Sequence, residues 1–251
     1  MKSLLETMFG AIIGVMVMLV SANMTDAVVS TAINGTADMQ LDRSVRGMSD
    51  EMLMHLRNAS RIVATTTVGA TTYTSGPSTL IVAAPAYNVN QSSYFISGQE
   101  DILIFTYDAA NKQVRQVIST SNGSARPARN LFPIGRNIDS LTFTYNCREI
   151  FSAATTGSST TYTLTVAPMA SSVKVYINGA SKTATVSGSV VTVTSSVTAG
   201  DRVQIFYSPQ TFSATAPITS VSFTTQQSSS GARGTRTCTA QGNARLRNYR
   251  S

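Results

Sequence analysis

The sequence is poor in the side chains that most catalytic and metal sites require. Its 251 residues include no tryptophan, one histidine (His55) and two cysteines (Cys147 and Cys238), and only 12% of the residues are charged. Two distant cysteines without a CxxC pair do not form a zinc site when a single histidine is available. The chain also lacks a phosphate loop and a GxSxG nucleophile motif. We therefore expect a protein that is not an enzyme, with no catalytic residue, no metal, no cofactor and no small-molecule substrate.

Basic residues outnumber acidic ones: the chain has 19 Lys and Arg against 12 Asp and Glu, which gives a net charge of +7. A basic balance permits contact with nucleic acid or another anionic surface. The last nineteen residues contain five arginines, namely Arg233, Arg236, Arg245, Arg247 and Arg250. In an extended strand Arg245 and Arg247 would share one face, where they could meet phosphates. DNA or another anion is thus a candidate partner, and a solvated or salt-bridging face is the alternative.

The N-terminal segment contains a long uncharged apolar run at residues 7–25, directly after Lys2 and Glu6. A helix of about 19 residues, rising about 1.5 Å per residue, just spans a bilayer core of about 30 Å. Glu6 enters this helix and needs a partner, because an unpaired charge is expensive to bury there. Gly10 and Gly14 lie four residues apart on one face, and small residues at that spacing let helices approach closely.

A cleaved secretory signal is the competing interpretation of this segment. Ser21, Ala22 and Asn23 form a poor cleavage site, and the apolar run continues into further helical pattern without a loop signal. We therefore predict a retained helix, and Lys2 favours a cytoplasmic N-terminus.

Residues 26–63 continue this helix in amphipathic form. Apolar residues recur there at steps of three and four, which is typical of a helix with one buried face. Nine of the ten methionines fall by Met54, and methionine packs adaptably in helix–helix contacts. The sequence thus predicts one helical unit over residues 1–63.

The remainder of the chain is rich in Ser and Thr and has the alternation of β-strands. Strands are predicted at 79–82, 101–107, 113–118, 138–145, 218–225 and 245–249, and a flexible loop at 228–231. The charge-poor segment 151–216 has its own short strands at 161–166, 173–177, 190–193 and 202–207. Asn178-Gly179 is a strong hairpin signal, and residues 199–201 predict a second turn.

These patterns predict an α+β fold. The long N-terminal helix packs on an antiparallel sheet built from residues 64–150 and 217–251, because one face of that sheet needs a cover. Residues 151–216 are predicted to form a small β-sandwich inserted between two strands of the sheet. Cys147 and Cys238 are expected to form a disulfide in an exported β-rich protein, stabilising it by roughly 2–4 kcal/mol. Two buried free thiols are the alternative.

This order of features resembles type IV pilins and the pseudopilins of type II secretion. Glu6 enters an apolar helix, the helix becomes amphipathic, and a sheet follows. Residues 53–63, 138–145 and 244–248 resemble the helix end, the central strand and the last strand of the larger pilin-like proteins. The resemblance covers roughly residues 1–150 and 217–251.

The resemblance implies a role for the N-terminal residues in assembly. In that family a peptidase cuts before the apolar helix and methylates the new amine, and a glutamate matching Glu6 pairs with the N-terminal amine of a neighbouring subunit. Met1, Lys2 and Glu6 are thus the expected charge-pairing residues, and Gly10 and Gly14 the expected sites of helix packing and flexibility. No leader ending in glycine precedes Glu6, and the family's helix-breaking proline is missing.

The implied function is that of a structural subunit of an extracellular pilus-like filament, anchored in the inner membrane before assembly. Its expected partners are other copies of itself, the pilus assembly machinery and a surface receptor or DNA. Two alternatives stay open: a minor pseudopilin of a secretion or DNA-uptake pseudopilus, and a membrane-anchored adhesin that binds its receptor through residues 151–217.

Overall fold

The structure is a computed structural model that describes residues 2–87, 95–120, 129–130, 134–213, 215–231 and 234–246. Within these ranges, the side chains of residues 2–7, 37, 86–87, 95–99, 120, 129–130, 229–231 and 234 lie outside the description.

The fold is α+β, which confirms the predicted fold class. The helix and the strands before the central strand are α1 (Lys2–Arg57), β1 (Arg61–Ile62), β2 (Thr65–Val68), β3 (Thr71–Thr74), β4 (Thr79–Tyr87), β5 (Phe95–Asp108), β6 (Gln113–Thr120), β7 (Arg129–Asn130) and β8 (Gly135–Arg136). The later strands are β9 (Ile138–Ser152), β10 (Thr160–Thr163), β11 (Lys174–Ile177), β12 (Ala180–Lys182), β13 (Ala184–Ser187), β14 (Val190–Val193), β15 (Arg202–Tyr207), β16 (Ile218–Gly231) and β17 (Gly234–Arg245). A short 3₁₀ helix spans Ala170–Ser172.

The strands form two larger antiparallel sheets and two smaller ones. The first sheet has the order β1-β4-β5-β6-β7, with β8 also paired to β6. The second, which we call the central sheet, has the order β12-β11-β15-β9-β16-β17. A three-stranded sheet has the order β10-β14-β13, and β2 and β3 form a separate hairpin.

The second half of α1 covers the buried face of the central sheet, where it packs on β16 and β17. Its contact stripe follows the three- and four-residue steps predicted from sequence, and consists of Leu41, Val45, Met48, Met52 and Leu56. Of these side chains, Met48, Met52 and Leu56 join one continuous core with residues of both larger sheets.

The helix ends at Arg57, not at residue 63 as predicted. The backbone N–H of Ser60 donates to the carbonyl of Ala83 at 2.7 Å, and the Ser60 hydroxyl donates to the same oxygen at 3.0 Å. These bonds start the antiparallel pairing of Arg61 and Ile62 with β4. Pairing with a strand distant in sequence thus ends a helical pattern that the apolar spacing alone would continue.

Strand β9 connects the segment 151–216 to the rest of the molecule. The first part of β9 pairs with β16, and residues 147–152 pair with β15, so β15, β11 and β12 extend the central sheet. The three-stranded sheet packs against the buried side of this extension, and the Phe151 and Tyr162 ring centroids lie 5.2 Å apart. That residues 151–216 form a separate domain stays a prediction.

The Asn178-Gly179 turn has the predicted geometry. Both residues have positive φ, 49° and 87°, as a two-residue hairpin loop of type I′ requires. The turn joins β11 to β12, with Ile177 opposite Ala180. Gly200, in the second predicted turn, also has positive φ, 91°.

The end of the chain differs from the prediction. The last described strand is β17 at Gly234–Arg245, not 245–249, and residues 228–231 belong to β16, not to a loop. The β16–β17 ladder continues from Ser220 opposite Arg245 to Gly231 opposite Gly234. Its backbone hydrogen bonds hold a Ser-rich segment extended, although its composition is typical of a flexible linker. Residues 247–249 of the predicted strand lie outside the described residues.

The predicted disulfide is wrong, because Cys147 and Cys238 are both free thiols. Cys147 is buried on β9, whereas Cys238 on β17 lies opposite Gln227, whose own partner on β9 is Ile138. Ile138 and Cys147 are nine positions apart on the same strand. At about 3.3 Å per residue the two thiols are on the order of 30 Å apart, and a disulfide needs Cα atoms within about 7 Å.

Candidate functional site

The first half of α1 is the largest exposed apolar surface of the described structure. Its large apolar side chains remain exposed, including Met8, Phe9, Ile12, Ile13, Val15, Met16, Val17, Met18, Leu19, Val20, Met24, Val28, Val29 and Ile33. Among the described residues, one helix is long and apolar enough to cross a membrane. Its most apolar 18-residue stretch has a mean hydropathy of 1.9, and no part of that stretch is buried in the structure. By length and composition this segment can span a bilayer.

The exposed surface surrounds the helix completely. The six consecutive residues from Val15 to Val20 are all apolar and all at least 56% exposed. Since successive residues of an α-helix point about 100° apart, six of them cover every direction around the axis. A helix that is apolar on all sides is normally buried in a membrane or among other helices.

Four hydroxyl side chains that follow this segment bond to the helix itself. The hydroxyls of Thr25, Thr31 and Thr36 donate to the carbonyls four residues earlier, at 2.8, 2.7 and 2.9 Å. Ser30 makes a similar bond to Ala27 at 3.1 Å. Such bonds satisfy hydroxyl groups without water. These four hydroxyl groups are therefore compatible with an apolar environment, whereas Asp26 in the same part of α1 is an exposed charged residue.

The predicted assembly residues are only partly described. Met1 lies outside the described residues, and so do the side chains of Lys2 and Glu6 within α1. Gly10 and Gly14 are described, and a Cβ atom at either position would have no neighbour within 4 Å. Both glycines thus lie on open helix surface, and their role in packing stays a prediction.

Charged groups reinforce the contact between α1 and β17. Arg236 forms an ion pair with Asp38, and the Cys238 thiol lies 3.8 Å from an Asp42 carboxylate oxygen. Asp42 also accepts a 2.7 Å hydrogen bond from Arg46, and this bond raises the pKa of the Arg46 guanidinium. Burial, followed by the Asp42 charge, raises the pKa of the Cys238 thiol.

The structure separates the arginines that the sequence grouped together. Arg236 and Arg245 are nine positions apart on β17, so they lie on opposite faces of the central sheet. Arg236 faces α1, and Arg245 lines a groove on the other face together with Arg148 and Lys174. Arg233, Arg247 and Arg250 lie outside the described residues. Sequence analysis missed Arg148 and Lys174, because the sheet order that brings them near Arg245 has no signal in local sequence.

The single histidine is half-buried on α1 beside a core phenylalanine. The His55 ring centroid lies 6.1 Å from that of Phe105, and burial lowers the pKa of its imidazole. Within the part of the chain that the structure describes, no group of three or more His, Cys, Asp or Glu side chains could hold a metal ion.

Comparison with known proteins gives distant structural likenesses. No family model and no curated protein sequence matches the chain. A solved type IV-like pilin from Thermus thermophilus is similar over 82% of this chain and 97% of its own, at 6% identity and a TM-score of 0.36. A structure of manganese lipoxygenase of Gaeumannomyces graminis with part of zonadhesin of Komagataella pastoris is similar over 75% and 79%, at 10% identity and a TM-score of 0.16. TM-scores this low carry no argument about the function of the chain.

Proposed function

We propose that this protein is a pilin-type structural subunit that polymerises through α1 into an extracellular filament. The observation that carries the proposal is the division of α1 into two halves. Residues 8–20 are apolar on every side and exposed, whereas the stripe from Leu41 to Leu56 is buried against the rest of the subunit. One half therefore belongs to the subunit's own core, and the other requires a covering that the subunit does not provide.

Two environments would cover the first half of α1 in turn. Before assembly, a bilayer would surround it, since its length and hydropathy suit a membrane span. After extraction, the first halves of neighbouring helices would replace the lipid. Each large apolar side chain moved out of water contributes about 1.5–3 kcal/mol, so exposure of the segment to solvent is strongly unfavourable in either state.

Glu6 gives the assembly its proposed register. A carboxylate at the start of an apolar bundle is strongly destabilising unless it is paired. The N-terminal amine or Lys2 of a neighbouring subunit would supply the opposite charge. Pairing is satisfied only at one axial offset between helices, so the charge would select that offset.

The second half of α1 would couple the filament core to the globular part. Its buried stripe and the Asp38–Arg236 ion pair fix the helix to β16 and β17. The central sheet would then decorate the outside of the filament, with its groove-bearing face directed away from α1. The assembly machinery of the inner membrane would act on this anchored subunit.

Cryo-electron microscopy of material sheared from cells that produce the protein tests this proposal. We expect helical filaments whose density fits the chain, with the first halves of α1 in a central bundle. Glu6→Ala should abolish or strongly reduce filaments while the globular part stays folded. Asp50→Ala, which removes an exposed carboxylate later on the same helix, is the matched control.

The outcome also separates the alternatives. Normal filaments from Glu6→Ala would contradict the charge-pairing mechanism. If no filament contains the chain and the protein remains monomeric in the membrane fraction, the anchored adhesin is favoured. If the chain occurs only at the tip of short filaments made of another subunit, it is a minor pseudopilin.

A further inference from the structure

The face of the central sheet that points away from α1 carries a regular array of polar side chains. The strands β9, β16 and β17 lie side by side, and their residues alternate between the core and this face. Four cross-strand rows make up the array: Asn146-Ser220-Arg245, Thr144-Ser222-Asn243, Thr142-Thr224-Gln241 and Ser140-Gln226-Thr239. All of these residues are exposed or half-buried. The residues between them on β9 and β16 are buried, among them Leu141, Phe143, Tyr145, Val221 and Phe223.

The array has the two repeat distances of a β-sheet. Neighbouring strands place equivalent side chains about 4.8 Å apart, and alternate residues along one strand recur about every 6.8 Å. Four rows on three strands therefore cover an area of about 20 Å by about 10 Å between Cα positions. A surface that repeats in two directions suits an extended ligand with its own repeat better than a single small molecule.

The composition of the array excludes charged and apolar ligands. Arg245, at one corner, is the one charged side chain in the four rows, and none of the rows contains a large apolar side chain. A polyanion such as nucleic acid is normally matched by many cations, and a lipid surface by exposed apolar residues. The array thus fits a ligand that is polar and neutral.

Much of the hydrogen-bonding capacity of the array is unused within the subunit. The Asn146 amide connects two strands, since it donates to the hydroxyls of Ser220 and Ser222 at 3.3 and 3.2 Å. Other side chains of the array form no hydrogen bond with the part of the chain that the structure describes, namely Thr142, Thr144, Thr224, Thr239, Gln241 and Asn243. Hydroxyl and amide groups both donate and accept, so they pair well with the hydroxyl groups of a ligand.

A partly exposed aromatic ring lies beside the array. The strands β15 and β11 continue the same face beyond β9, and a groove of about 1060 Å³ is lined there by Asn146 and Asn243 of the array and by Tyr176. Tyr176 stands at 89° to Phe206, with the ring centroids 5.7 Å apart, and is half-buried. Its ring offers an apolar patch with a polar tip, which suits the C–H face of a sugar beside its hydroxyl groups.

From these features we infer that the array binds a neutral polysaccharide whose chains lie side by side in a solid, as in cellulose or chitin. The sugar hydroxyls bond to the hydroxyls and amides of the array, and a sugar ring packs on Tyr176. The array lies in the globular part, so a subunit that fails to form filaments would still bind. In a filament every subunit would repeat the array, and the avidity would rise without any new contact.

Retention of the full chain in detergent on microcrystalline cellulose and on crystalline chitin tests the inference. The variant Thr142→Val/Thr224→Val removes the hydroxyls of a cross-strand pair in the array, and valine suits a strand as well as threonine does. Thr65→Val/Thr74→Val makes the same change in an exposed cross-strand pair of β2 and β3 and is the matched control. We expect the array variant to bind about tenfold more weakly, and the control variant to bind as the unmodified chain does.

A second variant, Tyr176→Ser, removes the ring and keeps the hydroxyls and amides of the array, and we expect it to weaken retention as well. Because the ligand is neutral, we expect retention to change little between about 0.1 M and about 1 M salt, over which the Debye length falls from about 10 Å to about 3 Å. Retention on one of the two solids alone would support the inference and identify the sugar.

Three results would overturn the inference. The first is that the unmodified chain is retained on neither solid, or that the two threonine pairs lose retention equally. The second is retention that disappears at high salt, which would assign it to charged residues. The third is an array variant that changes the oligomeric state in sedimentation but not the retention, which would make the array a contact between copies of the chain.

Discussion

Gly242 on β17 lies directly opposite Phe223 on β16, and the Phe223 ring occupies the space where a side chain of Gly242 would begin. The Leu53 side chain of α1 lies 3.1 Å from the same point. The absence of a Cβ atom thus lets the helix, the ring and the strand meet. This contact is central to the junction between α1 and the sheet.

We predict that Gly242→Ala destabilises the globular part by about 1–3 kcal/mol, because a ring packed in the core cannot move aside freely. Chemical unfolding of the detergent-solubilised chain measures the change. Gly157→Ala is the matched control, since its nearest neighbour would be 3.7 Å away, an ordinary contact. Equal unfolding midpoints for the two variants would show that the junction adapts to the added carbon.

A charge in the apolar half of α1 should prevent both membrane insertion and assembly. Met16 is 65% exposed in that half, and Met16→Lys places an ammonium group near the middle of the span at a cost of about 2.5–3.5 kcal/mol. We expect less protein in the membrane fraction and fewer filaments in the sheared fraction. Met169→Lys makes the same change at a 47% exposed site in the segment 151–216 and is the control. The prediction fails if both variants behave like the unmodified chain.

The two thiols should differ in reactivity, because only one is accessible. Cys147 is 1% exposed, and burial raises the pKa of its thiol to about 12, so little thiolate forms at pH 8. We expect iodoacetamide to label Cys238 alone in the native protein, and both residues after unfolding. Mass spectrometry of the labelled peptides provides the measurement, and Cys238→Ser should remove native labelling. A linked Cys147–Cys238 peptide without reduction would contradict the structure.

Glu100 should make stability depend on pH in the acidic range. Hydrogen bonding to Ser60, and then to Arg61, lowers the pKa of the carboxyl from its ordinary value of 4.5. A lowered folded-state pKa means that the stabilisation is complete above the unfolded pKa and is lost as pH falls through the folded one. Glu100→Gln should therefore cost about 1 kcal/mol at pH 7 and much less near pH 3, after allowance for solvent screening.

Urea unfolding of the detergent-solubilised chain at pH 7 and pH 3 measures this difference. Asp50→Asn, at an exposed site on α1, is the control for loss of one negative charge. If the difference between the Glu100→Gln variant and the unmodified chain is the same at both pH values, the Ser60 and Arg61 bonds contribute nothing to the pH dependence.

The elements that sequence analysis predicted well are those whose signal is local. The apolar run at residues 7–25 and the spacing of apolar residues after it predicted α1. Both signals are local, because the residues on one face of a helix are only three or four positions apart in sequence. The Asn178-Gly179 turn was also predicted correctly, since its positive φ angles need only those two residue types.

The elements that it predicted wrongly depend on partners far along the chain. The end of α1 at Arg57 is set by strand pairing near Ala83. The extension of β16 through residue 231 depends on the complementary strand β17. The disulfide failed because cysteine count carries no information on strand register, and register places the thiols at distant points of the sheet.

For the proposed sites the division is the same. Neighbouring residues alone specify an apolar helix at residues 7–25 with Glu6 at its start, because hydropathy and helical period are local properties. Packing against strands far along the chain, by contrast, covers the second half of α1 and leaves the first half exposed. The local spacing of apolar residues does not specify which half is covered. Strand order also brings Arg148, Lys174 and Arg245 to one face of the central sheet, since β11-β15-β9-β16-β17 joins residues up to 97 positions apart, from Arg148 to Arg245.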